Sequence, residues 1–257
     1  MWRYLGMERS QEVTSNAVSV PERAIFVVGV GRSGTTLMLG LLDNHPELLV
    51  LPAESKARSW YREPDPVATF YEMSSYGKAF PETEEAKREF ERRLRERLTG
   101  PVELREALLT IVEAVAWAHP APGARAWVEK TPKHLRNTSE LFREFGPETR
   151  VICMIRDPRS VYASRAKRWH KGGWRDVRSF ARRWSIDDQL TARFERDPGF
   201  MVVRYEDLLR DPEPAMKRVA EHLGIAFVPE LLVPSRLGEP RQAHSSFGGR
   251  PGEAPTS

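Results

Sequence analysis

At 257 residues the chain can build one large or two small domains, and 40% hydrophobic content is enough for a real core. Its 40 basic and 36 acidic residues leave a formal charge of +4, which suits anionic ligands without requiring nucleic acid. The lone cysteine, Cys153, excludes an intrachain disulfide and a thiolate metal site, and the 6 histidines hold no close pair at metal-ligand spacing, so no metal is expected.

Residues 1–22 are polar and mixed, without an apolar stretch suited to a signal peptide or a membrane span. They are expected to form a flexible N-terminal arm on a cytoplasmic protein. The next stretch, AIFVVGVGRSGTT from Ala24 to Thr36, changes character. Ile25 to Val30 is β-branched and apolar on both faces, as a buried parallel strand requires. Gly29, Gly31 and Gly34 admit positive φ and close approach of a ligand to the backbone. Leu37, Met38, Leu41 and Leu42 then follow at helical spacing, so the turn ends on a helix N-terminus that favours an anion.

Three readings fit this turn. The phosphate-loop pattern GxxxxGK[ST] runs from Gly29 to Thr36, but Thr35 stands where the lysine should be, which removes the charge an ordinary nucleoside triphosphatase needs. GxGxxG also matches at Gly29, Gly31 and Gly34, with Glu54 at the distance expected of a ribose-binding acid. The third reading rests on Arg32, Ser33, Thr35 and Thr36, a guanidinium and three hydroxyls gathered around one anionic group.

Leu48 to Leu51 reads as a second short strand that presents Glu54 beyond its carboxyl end. From Ala57 to Pro81 the sequence is irregular and aromatic. Glu82 to Leu98 and Val102 to Ala118 form two helices expected to pack as a cap beside the sheet. AWVE, from Ala126 to Glu129, is a third strand that delivers Lys130 to the same edge, where it can replace the lysine the loop lacks. A helix from Lys133 to Phe145 follows.

Arg150 to Ile155 is a buried strand, and Asp157 and Pro158 are N-cap and first-turn signals. Arg156 therefore faces a second helix N-terminus, and Ser160 and Ser164 share one face of that helix. Arginines and tryptophans between Arg165 and Trp184 allow nucleic-acid stacking, but two helices joined at Gly172 and Gly173 account for them, and a lid or acceptor contact is favoured. The last strand spans Phe200 to Arg204, the last helix Pro214 to Leu223, and residues 248–257 are expected to be disordered. Five strands alternating with helices, with motifs at the strand ends, predict an α/β protein with a parallel sheet and one site along its carboxyl edge.

Taken in order, GVGRSGTT with LDNHPEL, EKTP, RDPRSVYAS, RYEDLLRDP and HLGI resemble the motifs of sulfotransferases that use 3′-phosphoadenosine 5′-phosphosulfate (PAPS), of the bacterial type similar to tyrosylprotein sulfotransferases. The resemblance covers most of Ile25 to Phe247 and implies a P-loop-like three-layer fold with a central parallel sheet of about five strands, over a domain of residues 23–247. It implies that Arg32, Ser33, Gly34, Thr35 and Thr36 hold the 5′-phosphosulfate and that Arg156 and Ser164 hold the 3′-phosphate. Tyr205 would lie near the adenine, and Ser245 or Ser246 would close over the phosphosulfate. Lys130 would steady the leaving phosphate, aided by Arg32; Pro132 occupies the position of the histidine base in the cytosolic branch, which leaves Glu54 as the general base, with His134 a distant second choice.

The implied partners are the nucleotide donor and a hydroxyl-bearing acceptor, whether small molecule, carbohydrate, lipid or peptide, with no metal and no nucleic acid. Trp60, Tyr61, Trp169 and Trp174 are candidates for the acceptor lining. Family members continue past the serine segment into a Trp-Arg loop and a terminal helix, where this sequence reads FGGRPGEAPTS. A catalytically weak protein that binds the donor or its bisphosphate product therefore stays open as an alternative, with a nucleotide kinase behind it.

Overall fold

The computed structural model describes residues 20–74, 76, 80–169, 174–237 and 239–240. Its centre is a five-stranded parallel sheet in the order β2-β3-β1-β4-β5. The strands are β1 (Arg23–Gly29), β2 (Leu48–Val50), β3 (Ala126–Lys130), β4 (Arg150–Ile155) and β5 (Phe200–Arg204). The middle strand has no solvent-facing side: Ile25, Phe26, Val27 and Val28 are all fully buried. Such a strand can only sit between two layers, which is what an unbroken apolar run implies.

Alternation along β1 divides the core. Ile25 and Val27 face the layer formed by helices α1 (Thr35–Leu42), α8 (Tyr205–Arg210) and α9 (Pro212–Leu223), through Leu37, Met38, Met216 and Val219. Ala24, Phe26 and Val28 face the opposite layer. That layer includes α2 (Pro66–Met73), α3 (Glu84–Arg97), α4 (Leu104–Ala118) and α5 (Thr138–Phe145). Helices α3 and α4 pack through Phe90, Leu94, Leu108 and Ile111, while the polar face of α3 carries exposed ion pairs such as Glu91–Arg95 at 2.8 Å. Helices α6 (Pro158–Trp169) and α7 (Trp174–Phe194) lie between β4 and β5 in the chain. A short antiparallel pair, β6 (Ser235–Arg236) with β7 (Glu239–Pro240), follows α9 and is tied back when the Ser235 hydroxyl donates to Asp43 at 2.7 Å.

Three local expectations change. The aromatic segment expected to be irregular contains α2, which starts where Asp65 accepts the Ala68 N–H at 2.9 Å and Pro66 takes the first turn. Apart from half-buried Tyr71, its described aromatic residues are core: Phe70 meets Trp60 at 5.3 Å and Tyr76 at 5.0 Å between ring centroids. The helix expected from Lys133 divides into a 3-10 segment, Pro132–Asn137, and α5, with Asn137 at φ −119°, ψ 13° between them. Residues 205–210 add a helix directly after β5, and α9 begins at Pro212 rather than Pro214. It stops at Gly224, whose φ of 62° provides a left-handed C-cap.

Candidate active site at the carboxyl edge of the sheet

The turn after β1 is built on two close approaches. Gly29 has φ +142°, and a Cβ there would lie 2.3 Å from the Met154 carbonyl of the neighbouring strand. Gly34 has φ +100°, and a Cβ there would lie 2.4 Å from the Tyr205 ring. Gly31, expected to need the same freedom, has a negative φ and open space around it, and Arg32 instead takes the left-handed conformation at φ 80°. A non-glycine residue held there costs about 1–3 kcal/mol, so the surrounding turn imposes the conformation. The Ser33 N–H donates to the Val30 carbonyl at 3.0 Å, and its hydroxyl, fully buried, has no hydrogen-bond partner. No side chain caps α1, so the N–H groups of its first turn point into the same space.

The turn after β4 closes that space from the other side. Arg32 Nε donates to Ser164 Oγ on α6 at 3.0 Å, and Arg156 Nη1 donates to the Arg32 carbonyl at 3.4 Å. The Arg156 guanidinium stacks over the Tyr205 ring with its carbon 4.3 Å from the centroid, and its Nε is buried without a partner. Asp157 fulfils the helix-start signal by accepting the Arg159 N–H at 2.8 Å, while its own N–H donates to Glu206 at 3.0 Å. Hydrogen bonds from Arg159 hold the Asp157 carboxyl down at about 2. Between the two turns lies an open cavity lined by Arg32, Gly34, Thr35, Thr36, Arg156, Ser164 and Tyr205. All seven were singled out in the sequence. Its wall is mainly polar, with two guanidinium groups and a helix N-terminus, so it is suited to an anion with a planar group.

The second part of the site comes from β2 and β3. Lys130 pairs in register with Val27, just before Gly29, which brings its side chain to the same edge. Its ammonium donates to Glu54 Oε1 at 2.7 Å; Lys130 is 7% exposed and Glu54 31%. A nearly buried cation thus meets a carboxylate that water still reaches. Among the described residues no group of three or more His, Cys, Asp and Glu could hold a metal ion, and no helix is long and apolar enough to cross a membrane.

A family model described as the sulfotransferase family matches residues 24–229, which takes in every strand of the central sheet and both turns. The chain belongs to the sulfotransferase family. It is 26% identical over 220 residues to protein-tyrosine sulfotransferase A of Caenorhabditis elegans, covering 81% of this chain and 51% of that protein, so it spans about half the length of that relative. Among solved structures, the sulfotransferase domain of the Synechococcus PCC 7002 olefin synthase superposes with a TM-score of 0.55 at 18% identity, over 88% of this chain and 81% of that one. The sulfotransferase domain from the curacin biosynthetic pathway gives 0.57 at 22% identity, over 82% and 76%. At these identities the likeness is one of fold.

Within this sulfotransferase fold, several singled-out residues lie elsewhere than expected. Trp60 and Tyr61 are 1% and 2% exposed and belong to the core, so neither lines an acceptor cleft. Trp60 Nε1 is used internally, donating to the Ser55 carbonyl at 2.8 Å. Cys153 is buried, and burial pushes its thiol up to about 12 even though Thr191 sits 3.5 Å away, so it is inert as expected. Ser245 and Ser246, and the side chains of Trp169 and Trp174, lie outside the described residues.

One group went unread in the sequence. Glu129, beside Lys130, is fully buried and accepts four hydrogen bonds. Its Oε1 takes the Ser55 N–H at 3.1 Å, the Ser55 hydroxyl at 2.7 Å and the Thr131 hydroxyl at 2.6 Å, and Oε2 takes His134 Nδ1 at 3.0 Å. Burial alone would raise its pKa, but the charge and hydrogen bond of His134 together with the Thr131 and Ser55 hydroxyls outweigh it and hold the carboxyl below its ordinary value. His134 is 1% exposed, which removes it as a candidate base facing substrate. The signal was the period of two: Glu129 falls on the same face of β3 as fully buried Trp127, where a lone carboxylate needs partners.

Proposed function

We propose that the protein transfers a sulfuryl group from PAPS to an acceptor hydroxyl. The observation that carries this reading is the single cavity that gathers the uncapped helix turn at Thr35 and Thr36 with Arg32, Arg156, Ser164 and Tyr205. A nucleotide with two separated anionic ends matches a site that sets the open helix turn at Thr35 and Thr36 beside the Arg156 guanidinium and the Ser164 hydroxyl, while Tyr205 and Arg156 offer a stacked surface for a base. The buried Ser33 hydroxyl and Arg156 Nε, which have no protein partner, are donors such a ligand satisfies. Ser245 and Ser246 would complete the phosphosulfate contacts.

In this reading the acceptor oxygen bonds to sulfur as the bond between sulfur and the 5′-phosphate oxygen breaks, and the acceptor proton passes to Glu54. The product nucleotide is 3′-phosphoadenosine 5′-phosphate. Lys130 and Arg32 meet the charge that develops on the leaving phosphate. Because the transition state is loose, positioning and charge stabilisation supply most of the acceleration. The present ion pair between Lys130 and Glu54, at 2.7 Å, is the contact each exchanges for substrate. The acceptor is a hydroxyl of a small molecule, carbohydrate, lipid or peptide, and the setting is cytoplasmic.

Calorimetric titration of the full chain with 3′-phosphoadenosine 5′-phosphate, alongside AMP, ATP and NAD, tests the donor site. The expected result is micromolar binding of the bisphosphate alone, weakened about 10–100-fold, or about 1.4–2.8 kcal/mol, in Arg156→Ala. Tighter binding of ATP or NAD would overturn the reading.

A further inference from the structure

Successive residues of a strand point to opposite faces, so Lys130 and Glu129 leave β3 in opposite directions. Lys130 meets Glu54, whereas Glu129 is sealed in the other layer with Trp127, Leu135 and Phe26, the last of which approaches the His134 ring edge-on at 6.4 Å between centroids. Glu129 therefore touches neither the cavity nor the acidic partner of Lys130. Its hydrogen bonds nevertheless go to the chain immediately beside both. Ser55 follows Glu54, and its N–H and hydroxyl both donate to Glu129 while its carbonyl accepts from Trp60. Thr131 follows Lys130, and its hydroxyl donates to Glu129 while accepting the Lys56 N–H at 3.1 Å.

We propose that Glu129 is a positioning residue, a buried carboxylate that locks the ends of β2 and β3 together so that Lys130 and Glu54 stand at working distance. The inference rests on the reading of those two side chains as the transfer pair. The physical argument is one of number and direction. Four donors from two stretches of chain, Ser55 on one and Thr131 and His134 on the other, converge on one buried carboxylate, and removing the acceptor leaves each of them unsatisfied unless the backbone moves. The backbone that would move carries Glu54 and Lys130. The loop from Gly29 to Thr36 and the Arg156 turn receive no hydrogen bond from this network, so donor binding is insulated from it.

The test uses the full chain and three variants, Glu129→Gln, Ser55→Ala and Thr131→Val. Three quantities are read: affinity for 3′-phosphoadenosine 5′-phosphate, PAPS turnover at saturating donor with 4-nitrophenol or water as acceptor, and the side-chain nitrogen-15 resonance of Lys130, assigned with Lys130→Arg. Expected are a fall in kcat of about 10–100-fold in Glu129→Gln and about 3–10-fold in the other two, bisphosphate affinity within about twofold of wild type, and a displaced Lys130 resonance in all three. A folded Glu129→Gln with wild-type kcat and an unmoved Lys130 signal would overturn the proposal. So would affinity that falls in step with turnover, because that marks a general loss of structure. If Glu129→Gln does not fold, Ser55→Ala and Thr131→Val decide by the same criteria. A wild-type chain that binds no bisphosphate sinks the donor reading instead, and the Lys130 resonance still decides the positioning.

Discussion

The two halves of the carboxyl edge are built on opposite principles. On the β1 and β4 side, hydrogen-bonding capacity is left unfilled: Ser33 Oγ and Arg156 Nε are buried without partners, α1 is uncapped, and Arg32 sits at φ 80°. On the β2 and β3 side it is saturated around one carboxylate, with every polar group of Ser55 engaged and four donors on Glu129, while His134 Nε2 and Trp127 Nε1 beside it have no partner. Unfilled donors are costly in a folded protein, and beside an open polar cavity a ligand is what would supply the missing partner. Saturated networks instead fix geometry. In the proposed reading the first half binds and the second places the reacting groups, which predicts that damage to the two halves has different signatures.

The largest expected effects lie on the β2 and β3 side and appear in turnover alone. Glu54→Gln is expected to lower sulfuryl transfer by about 10²–10⁴-fold, the usual contribution of a general base. Lys130→Ala is expected to lower it by about 10²–10³-fold, as for removal of one group that stabilises developing charge. Steady-state kinetics at saturating PAPS measures both, and titration with 3′-phosphoadenosine 5′-phosphate should give affinities within about threefold of wild type. Wild-type turnover in either variant would reject that residue's role.

Gly34→Ala attacks the other half and should show the reverse pattern. A methyl group there would sit 2.4 Å from the Tyr205 ring at a φ of +100°, so either the ring or the start of α1 must shift. The left-handed conformation alone costs about 1–3 kcal/mol, and the displaced ring also supports Arg156. Bisphosphate affinity is expected to fall by about tenfold or more, while the Lys130 side-chain resonance stays in place. If the Lys130 signal moved as much as in Glu129→Gln, the two halves would not be separable.

The same division explains what could be read from the sequence. The β1 turn and the Arg156–Asp157–Pro158 turn were legible because a backbone that wraps an anion needs glycine, hydroxyl and helix-start residues at fixed offsets, and six of the seven residues of the polar cavity follow from them, whereas Tyr205 came only from the family resemblance. Even there, the residue taking positive φ was Arg32 and not Gly31, since a glycine shows only where the conformation is allowed. The Glu129 network was illegible because Ser55 lies 74 residues from Glu129, and only the pairing of β2 with β3 brings it to the stretch that holds Glu129, Thr131 and His134. The aromatic stretch misled for a related reason. Trp60 and Tyr61 looked like a cleft lining, yet they are core residues packed with Phe70, which stands on the helix begun by Asp65–Pro66, the same helix-start signal that Asp157–Pro158 provides.

The smallest expected effect is on stability against pH, and it isolates the charge on Glu129 from its shape. Its carboxyl is held below the ordinary value of 4.5 in the folded chain, so the unfolded chain binds more protons as pH falls below that value. The contribution is therefore complete above the unfolded pKa and is lost as pH drops through the lower, folded one. Glu129→Gln keeps the volume and one acceptor oxygen but has no proton to take up. Its Tm is expected to lie about 3–8 °C below wild type at pH 7, with the gap narrowing as pH falls through the folded-state pKa of Glu129. Exposed carboxylates such as Glu84, whose pKa is lowered by its hydrogen bond to Lys87, titrate equally in both proteins and cancel in the difference. A gap that stayed constant from pH 7 to pH 3 would mean that Glu129 contributes through packing and hydrogen-bond geometry alone, and the comparison between the two halves would then rest on direction of bonding with no part for charge.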